Sequence, residues 1–562
     1  MNERDAELVF LPLGGCGEVG MNMYLYGHGR GDARRWIMVD CGVSFGDMES
    51  SPGIDLMMPD PAFIADQAER LEGIFLTHAH EDHIGALGRL WPRLRAPIYA
   101  RPFTALHIRR KLDEAGVSAK ALRVIDGLGP VEAGPFTVRF QPVTHSIPET
   151  SAFVIDTPAG RIVHTADFKV DADPQIGEGF DDAAFRAIGD EGVDVLVCDS
   201  TNVMLEGHGG SEAEVMGPLT ELIKAAPGAV AATTFASNVA RLRSLAHAAS
   251  QCGRTVVLAG RAMGRMVDAA QDTGWLKDFP TVVDDRDAKS IPSENLFYLV
   301  TGSQGEGRAA LARIANGSHP TIAMGEGDTV IFSSKTIPGN EAGVIKVWNQ
   351  LAERGVKVID EGSPGLSGRI HVSGHARQED LRGMYDALRP RMAVPMHGER
   401  RHLMAHADFA ETLGVPASPA PNGTVLALDG PRPEIIDDVE TGILYLDGET
   451  LIGSHDGVVR SRLRLARQGH VVVSLVVDET GDLCADPEVR IVGGPDQSAD
   501  WPASLEEMIY EAVDEAVDAL PRKRRDDDGL EEAASRAVRR VASRRWGKKP
   551  TVTVLVTRLE DD

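Results

Sequence analysis

The sequence predicts an α/β protein in three parts: a sandwich of sheets covered by helices, a doubly wound parallel-sheet domain inserted into it, and a small separate α/β domain at the end. Three observations carry this. From residue 7 to about 200, short apolar strands alternate with Gly and Asp turns and a few helical patterns, with histidines at the strand ends. From about 205 the pattern becomes a strict alternation of apolar strand and amphipathic helix, as a parallel sheet requires. After 359 the histidine-rich signals resume, which marks a return to the first domain.

Residues 7–12, 21–26, 36–40, 73–76, 136–140, 151–157, 161–164 and 193–198 read as strands, and 61–70 and 105–114 as helices. In the insert, apolar runs at 229–235, 255–259, 296–301 and 329–333 alternate with helical patterns at 238–250, 262–272 and 339–353. Prolines at 416, 419, 421, 431 and 433 then punctuate the chain, and a linker is expected at 431–459. The tail offers strands at 470–477, 488–492 and 551–557 with helices at 505–520 and 530–545. The expected division is therefore 1–203 and 358–430 for the two parts of the sandwich, 204–357 for the insert and 460–562 for the C-terminal domain.

A chain of 562 residues, 43% hydrophobic, can bury about three cores. Its formal charge of −26 argues against a protein that coats nucleic acid indiscriminately, because such binding neutralises phosphates with Lys and Arg. Five scattered cysteines without a CxxC spacing favour reduced thiols, with neither a disulfide frame nor a zinc ribbon. The charged start, Met1 to Asp5, lacks a signal-type apolar region, and nowhere do 18 apolar residues run together. A soluble cytoplasmic protein without membrane contact is expected. Arg522, Lys523, Arg524 and Arg525, with Arg536, Arg539, Arg540, Arg544 and Arg545, form the strongly basic segment. Because Asp526, Asp527 and Asp528 follow at once, a solvated helix face explains it better than RNA contact.

The chemistry concentrates at His78-Ala79-His80-Glu81-Asp82-His83, directly after an apolar run. Imidazole suits Zn²⁺ and other borderline metals and carboxylate adds negative charge, so a tight HxHxDH loop can aim ligands at two adjacent ions. Gly15-Cys16-Gly17-Glu18-Val19-Gly20 imitates a dinucleotide fingerprint, with Asp40 twenty residues beyond the last glycine. That fingerprint needs a helix after its third glycine, whereas 21–26 alternates like a strand. A glycine turn bringing backbone close to the histidine loop is the better account, with Asp40 orienting a ligand histidine from behind. Further candidates stand at strand ends: His145 before a proline, His164 and Asp167 together, and His397 after an apolar run. Asp167 could bridge two cations with its two oxygens, which a histidine cannot do.

HxHxDH followed by His, Asp and His resembles the metallo-β-lactamase superfamily. Asp199-Ser200-Thr201-Asn202 and His371-Val372-Ser373-Gly374-His375-Ala376 bracket the insert and resemble its β-CASP branch, with Asp199, His375 and His397 at motifs A, B and C. Within that branch the blocks at 13–22, 235–238, 301–306 and 335–341 and the trailing domain are similar to the ribonuclease J family. Ala166 and Gly307 depart from it, standing where members often have Gly and Pro.

The resemblance implies an αββα sandwich with a β-CASP insert and two divalent ions per subunit, Zn²⁺ or Mn²⁺. The first would be held by His78, His80 and His145 and the second by Asp82, His83 and His397, with Asp167 between them. It also implies hydrolysis of RNA to 5′ phosphates and 3′ hydroxyls, by 5′ to 3′ exonuclease action on 5′-monophosphorylated ends and by endonuclease action, in RNA processing and decay. A histidine at motif C goes with the RNA-cutting members. His375, oriented by Asp199, could protonate the leaving O3′, and Asp82 is counted as catalytic as well as ligating. His371, Ser373, Gly374 and His375 could meet phosphate oxygens, and Ser237, Asn238 and Lys335 the RNA backbone or bases. For His371, a histidine satisfied within the fold is an equal alternative, and His208 and His319 are read as surface residues. Single-stranded RNA, a homodimer or homotetramer and RNA-decay proteins are the implied partners. A thioesterase or lactonase of the same superfamily explains the ligands but not the insert, and a non-catalytic RNA-decay scaffold would have lost ligands.

Overall fold

The computed structural model describes residues 6–559; the charged start at 1–5 lies outside them. Strands Leu8–Gly14, Met23–His28, Arg35–Val39 and Leu71–Phe75 lie side by side in an eight-stranded sheet, flanked on one side by Ile98–Ala100 and Leu122–Val124 and on the other by Thr424–Ala427 and Glu434–Asp438. A six-stranded sheet runs in the order Val131–Ala133, Phe136–Pro142, Ser151–Thr157, Gly160–His164, Val195–Asp199 and Met392–Met396. Alternate residues of both sheets share one core: Leu8 and Phe10, Tyr24 and Tyr26, and Ile37 and Val39 pack with Phe136, Val138 and Phe140, Phe153 and Ile155, and Val195 and Val197. This is the period-two burial of a sandwich. On the far face of the six-stranded sheet, Val154, Val163, Leu196 and Cys198 pack under Phe185, Leu381, Met384 and Phe409 from three helices.

The inserted domain is an all-parallel sheet, ordered Val282–Val283, Thr255–Ala259, Leu296–Val300, Val230–Thr233, Thr329–Phe332 and Lys357–Ile359. Its strands are nearly continuous apolar runs because helices cover the sheet. The chain leaves the sandwich after Val195–Asp199 and re-enters it at Met392–Met396, and those two strands pair in parallel. In that register Asp199 lies beside Met396, immediately before His397.

Two features differ from the sequence expectation. The stretch 431–459, read as linker from its prolines, carries strands Glu434–Asp438, Ile443–Asp447 and Thr450–Gly453. Pro431 and Pro433 sit just before an edge strand, where a missing N–H costs nothing. Residues 45–57, from the first part of the chain, belong to the same compact unit as residues 444–559. There Asp55 N–H donates to Leu446 C=O (2.9 Å), its carboxylate accepts from Gly448 N–H (3.0 Å), and the Arg462 guanidinium donates to Pro52 C=O (3.3 Å).

In that unit His470–Val477 lies between antiparallel Glu488–Val492 and parallel Thr551–Arg558. Helices Leu505–Asp518 and Asp527–Arg545 cover one face. The second helix begins earlier than its apolar pattern does, because Asp526 caps it by accepting from Gly529 N–H (3.0 Å). Much of the basic segment is ion-paired: Arg525 and Arg522 with Asp482, and Arg524 and Arg536 with Glu532. No helix among the described residues is long and apolar enough to cross a membrane. All five cysteines are free.

Candidate metal centre and active site

The strand Leu71–Phe75 delivers the chain into the loop at 77–80, and the short helix Glu81–Ile84 turns Asp82 and His83 back toward it. Loops following Phe136–Pro142, Gly160–His164 and Met392–Met396, alternate strands of the six-stranded sheet, bring His145, Asp167 and His397 to the same end of the sandwich. One ligand atom from each of His78, His80, His145 and Asp167 lies within 4.8 Å of the others, and so do those of Asp82, His83, Asp167 and His397. Asp167 belongs to both groups. Its Oδ2 stands 3.2 Å from His83 Nε2, 3.5 Å from His397 Nε2, 3.8 Å from His78 Nε2 and 3.9 Å from His145 Nε2.

The outward nitrogens of these rings are tied down. His83 Nδ1 donates to Asp40 (2.7 Å), His78 Nδ1 to Thr77 Oγ1 (2.9 Å), His145 Nδ1 to the Gly374 carbonyl (2.7 Å) and His397 Nδ1 to Asn22 Oδ1 (2.8 Å). Each bond fixes a tautomer whose Nε2 lone pair points inward. Thr77 Oγ1 in turn donates to Asp40, and Tyr24 O–H donates to Asn22 Oδ1 (2.7 Å). Such a layer is what a metal site needs around its ligands.

Burial, then the neighbouring imidazoles, pushes His78 and His145 well below the ordinary histidine range; His80 falls to about 4, with burial the main cause. Burial opposes charge on His83, yet Asp167, Asp82 and Asp40 outweigh it and hold its pKa well above normal. Asp167 and Asp82 lie below the carboxylate range: burial works against this, and the surrounding histidines prevail. These carboxylates call for positive charge at the centre, and a divalent cation would supply it in place of a proton on His83. Asp167 Oδ1 is moreover buried with no protein partner, an orphan that a divalent cation would satisfy. The donor set of imidazoles and carboxylates fits Zn²⁺ or Mn²⁺.

Asp199, His375 and His397 form a third group with Asp167. His375 Nδ1 donates to Asp199 Oδ2 (2.7 Å), and the His375 ring lies 5.2 Å from that of His145 and 5.6 Å from that of His397. Burial opposes its charge, but Asp199 and Asp167 together raise its pKa to about 9. Asp199 is held by the backbone N–H of Thr201 (2.9 Å) and its hydroxyl (2.7 Å).

Several other residues singled out from the sequence have polar atoms engaged inside the fold, while Lys335 is exposed. Ser373 Oγ accepts from Asn202 Nδ2 (2.8 Å), and a Cβ on Gly374 would sit 2.6 Å from the His145 ring. His371 is buried and accepts from Arg241 (3.1 Å). Asn238 caps the helix Val239–Gln251 through Arg241 N–H (2.8 Å), and Ser237 lies in the turn before it. The Lys335 carbonyl accepts from Gln304 (3.0 Å). His164 is turned into the sandwich core against Tyr26 O–H (2.8 Å) and joins neither group of ligand atoms. His208 is exposed beside Asp380, and His319 accepts from Ile322 N–H.

Asn22, Thr77 and Tyr24 escaped the sequence reading; the only signal was the glycine block before them. The block does bring backbone to the loop: Asn22 N–H donates to Asp82 C=O (3.0 Å), and a Cβ on Gly15 would meet Asn22 Oδ1 at 2.4 Å. Residues Met23–His28 form a strand, which removes the dinucleotide reading. Asp40, Ala166 and His397 all adopt left-handed backbone, with φ of 63°, 56° and 50°. Strained backbone of this kind persists where the surroundings over-determine it.

Family models match in chain order: a β-lactamase superfamily domain at 35–203, the ribonuclease J β-CASP domain at 227–351, a Zn-dependent metallo-hydrolase RNA specificity domain at 368–418 and the ribonuclease J C-terminal domain at 457–559. The chain is 46% identical to ribonuclease J of Sinorhizobium meliloti over 99% of its own length and 98% of the relative's. It is 35% identical to ribonuclease J of Mycolicibacterium smegmatis over 97% and 96%. To ribonuclease J of Corynebacterium glutamicum it is 35% identical over 96% of this chain and 74% of that one. With every domain of the family matched in order and a relative this similar from end to end, the chain belongs to the ribonuclease J family.

Proposed function

We propose that the protein is a metal-dependent ribonuclease with a dinuclear centre, acting on single-stranded RNA as a 5′ to 3′ exonuclease that prefers 5′-monophosphate ends and also as an endonuclease. The observation that carries this is the sharing of Asp167 by two groups of ligand atoms in a chain of this family. His78, His80 and His145 would hold one cation and Asp82, His83 and His397 the other. Zn²⁺ is the first choice and Mn²⁺ the second. When bound, such ions supply Lewis acidity that yields a nucleophile from water at neutral pH and offsets charge on the attacked phosphate.

His375 carries the proton. Asp199 accepts from its Nδ1 and favours the charged ring, which leaves Nε2 to hold and deliver the proton. It donates to the departing O3′, leaving a 5′ phosphate and a 3′ hydroxyl. Asp40, Thr77, Asn22 and the Gly374 carbonyl orient the ligands. We further assign residues 1–203, apart from 45–57, and 358–430 to the metallo-β-lactamase domain, 204–357 to the β-CASP domain and 460–562 to the C-terminal domain, which 45–57 joins, in a cytoplasmic homodimer or homotetramer.

The test is incubation of purified protein and Mn²⁺ or Zn²⁺ with labelled 5′-monophosphate RNA, 5′-triphosphate RNA, single-stranded DNA and a thioester. Fastest loss of the 5′-monophosphate RNA is expected. RNA left intact while the thioester turns over would overturn the proposal, and equal RNA loss with a His80→Ala, His83→Ala double variant would expose a contaminant.

A further inference from the structure

We propose that Arg241, paired with Glu212, is a positioning residue: from inside the inserted domain it sets the segment that carries the Gly374 carbonyl and His375. The inference rests on the ribonuclease reading for its catalytic consequence but not for its structural one.

Arg241 is completely buried in the first turn of the helix Val239–Gln251. Nε and Nη2 donate to the two oxygens of buried Glu212 (2.6 and 2.9 Å) in a fork-to-fork pair. The remaining donors reach elsewhere. The two hydrogens of Nη1 are shared among the Ser333 carbonyl (3.0 Å), Ser333 Oγ (2.9 Å), His371 Nδ1 (3.1 Å) and Ile370 C=O (3.4 Å), and Nη2 donates also to Val372 C=O (3.4 Å). Ser333 Oγ adds a bond of its own to Ile370 C=O (2.6 Å). One guanidinium thus fixes three consecutive residues, 370–372, immediately before Ser373-Gly374-His375.

The links continue to the metal loops and close on themselves. Glu212 N–H and Ser211 Oγ donate to Asp171 (2.9 and 2.7 Å), which pairs with buried Lys169 (2.7 Å). Lys169 N–H donates to Thr144 C=O (2.9 Å), next to His145, and His145 returns to Gly374. Ala376 N–H closes the far side onto Phe168 C=O (2.6 Å). A buried ion pair is costly to assemble and adds little net stability, but it fixes geometry where every donor finds an acceptor. Lysine offers a point charge that can keep Glu212 but cannot span Ser333 and 370–372 as the planar fork does.

The experiment compares wild type with Arg241→Lys and Ser333→Ala, the latter trimming the same clamp without leaving a bare buried charge. Each is measured for kcat and KM on 5′-monophosphate RNA and, separately, for Co²⁺ binding by absorption. For Arg241→Lys, kcat at least tenfold lower with KM within threefold is expected, together with Co²⁺ affinity lower by about tenfold, as for other losses of support behind a metal ligand. Ser333→Ala should show the same pattern at about threefold. Wild-type kcat and Co²⁺ affinity in a folded Arg241→Lys overturns the proposal; if that variant does not fold, wild-type values in Ser333→Ala do so. A wild type that cleaves no RNA while Arg241→Lys still weakens Co²⁺ binding would remove the ribonuclease reading and leave the clamp standing.

Discussion

The ligand loop at 77–83 and the segment at 370–376 face each other across the same centre, yet they are held in different ways. The loop is supported within the sandwich that bears it: Asp40, Thr77 and Asn22 come from strand ends and loops of one sheet, and the bonds are short and buried. The other segment belongs to no strand or helix and is held from outside, by Asn202, Arg241, Ser333 and Phe168. Metal ligation is thus mainly a property of the sandwich, reached from the insert side only through the Gly374 carbonyl on His145, whereas placement of the proton donor depends on the junction with the insert.

That contrast can be broken or sharpened, from the largest effect downward. Emptying the ligand loop, by the His80→Ala, His83→Ala pair or by a chelator, should lower RNA cleavage by about three orders of magnitude or more, because several kcal/mol of transition-state stabilisation is lost; elemental analysis of the variant should show loss of metal. His375→Ala should cost about 10²- to 10³-fold in kcat, the range for a general acid, while bound metal stays at the wild-type level. Metal loss in that variant would merge the two regions and sink the contrast. Asn22→Ala and Asp40→Asn should weaken metal affinity by about 10- to 100-fold, read as a higher metal requirement in a titration. Smallest is Ala166→Gly. Left-handed alanine costs about 1–2 kcal/mol, and the extra freedom of glycine in the unfolded chain returns about 0.5–1 kcal/mol. A net gain of about 0.5–1 kcal/mol in denaturant unfolding is expected, and a loss would show that the Ala166 methyl packs favourably.

How legible the molecule was in its sequence follows the same division. The alternation of strands and helices was plain in the insert because its strands are covered on both faces and read as unbroken apolar runs. HxHxDH, His145, Asp167 and His397 were legible as chemistry, since clustered imidazole and carboxylate at strand ends have few other uses. Asn22 and Thr77 were not, because an amide or hydroxyl behind a ligand looks like any polar residue until its partner is known. Arg241 and Glu212 were hidden for the same reason: 29 residues apart, each reads as solvated surface, and only the fold removes them from water. The strands within 431–459 were masked by prolines, which an edge strand tolerates. The glycines at 15–20 carried a true signal of close backbone approach, toward a histidine loop and not a nucleotide.

The membership of residues 45–57 in the C-terminal unit bears on the order in which the chain can finish. A ribosome releases those thirteen residues some four hundred positions before the segments they join, so they wait through most of synthesis without their hydrogen-bonding partners. Contacts so distant along the chain form slowly, and this unit is completed by a piece made long before the rest of it. A truncation near residue 430 therefore does more than delete a tail: it strands an early segment whose Asp55 and Pro52 have lost Leu446 and Arg462.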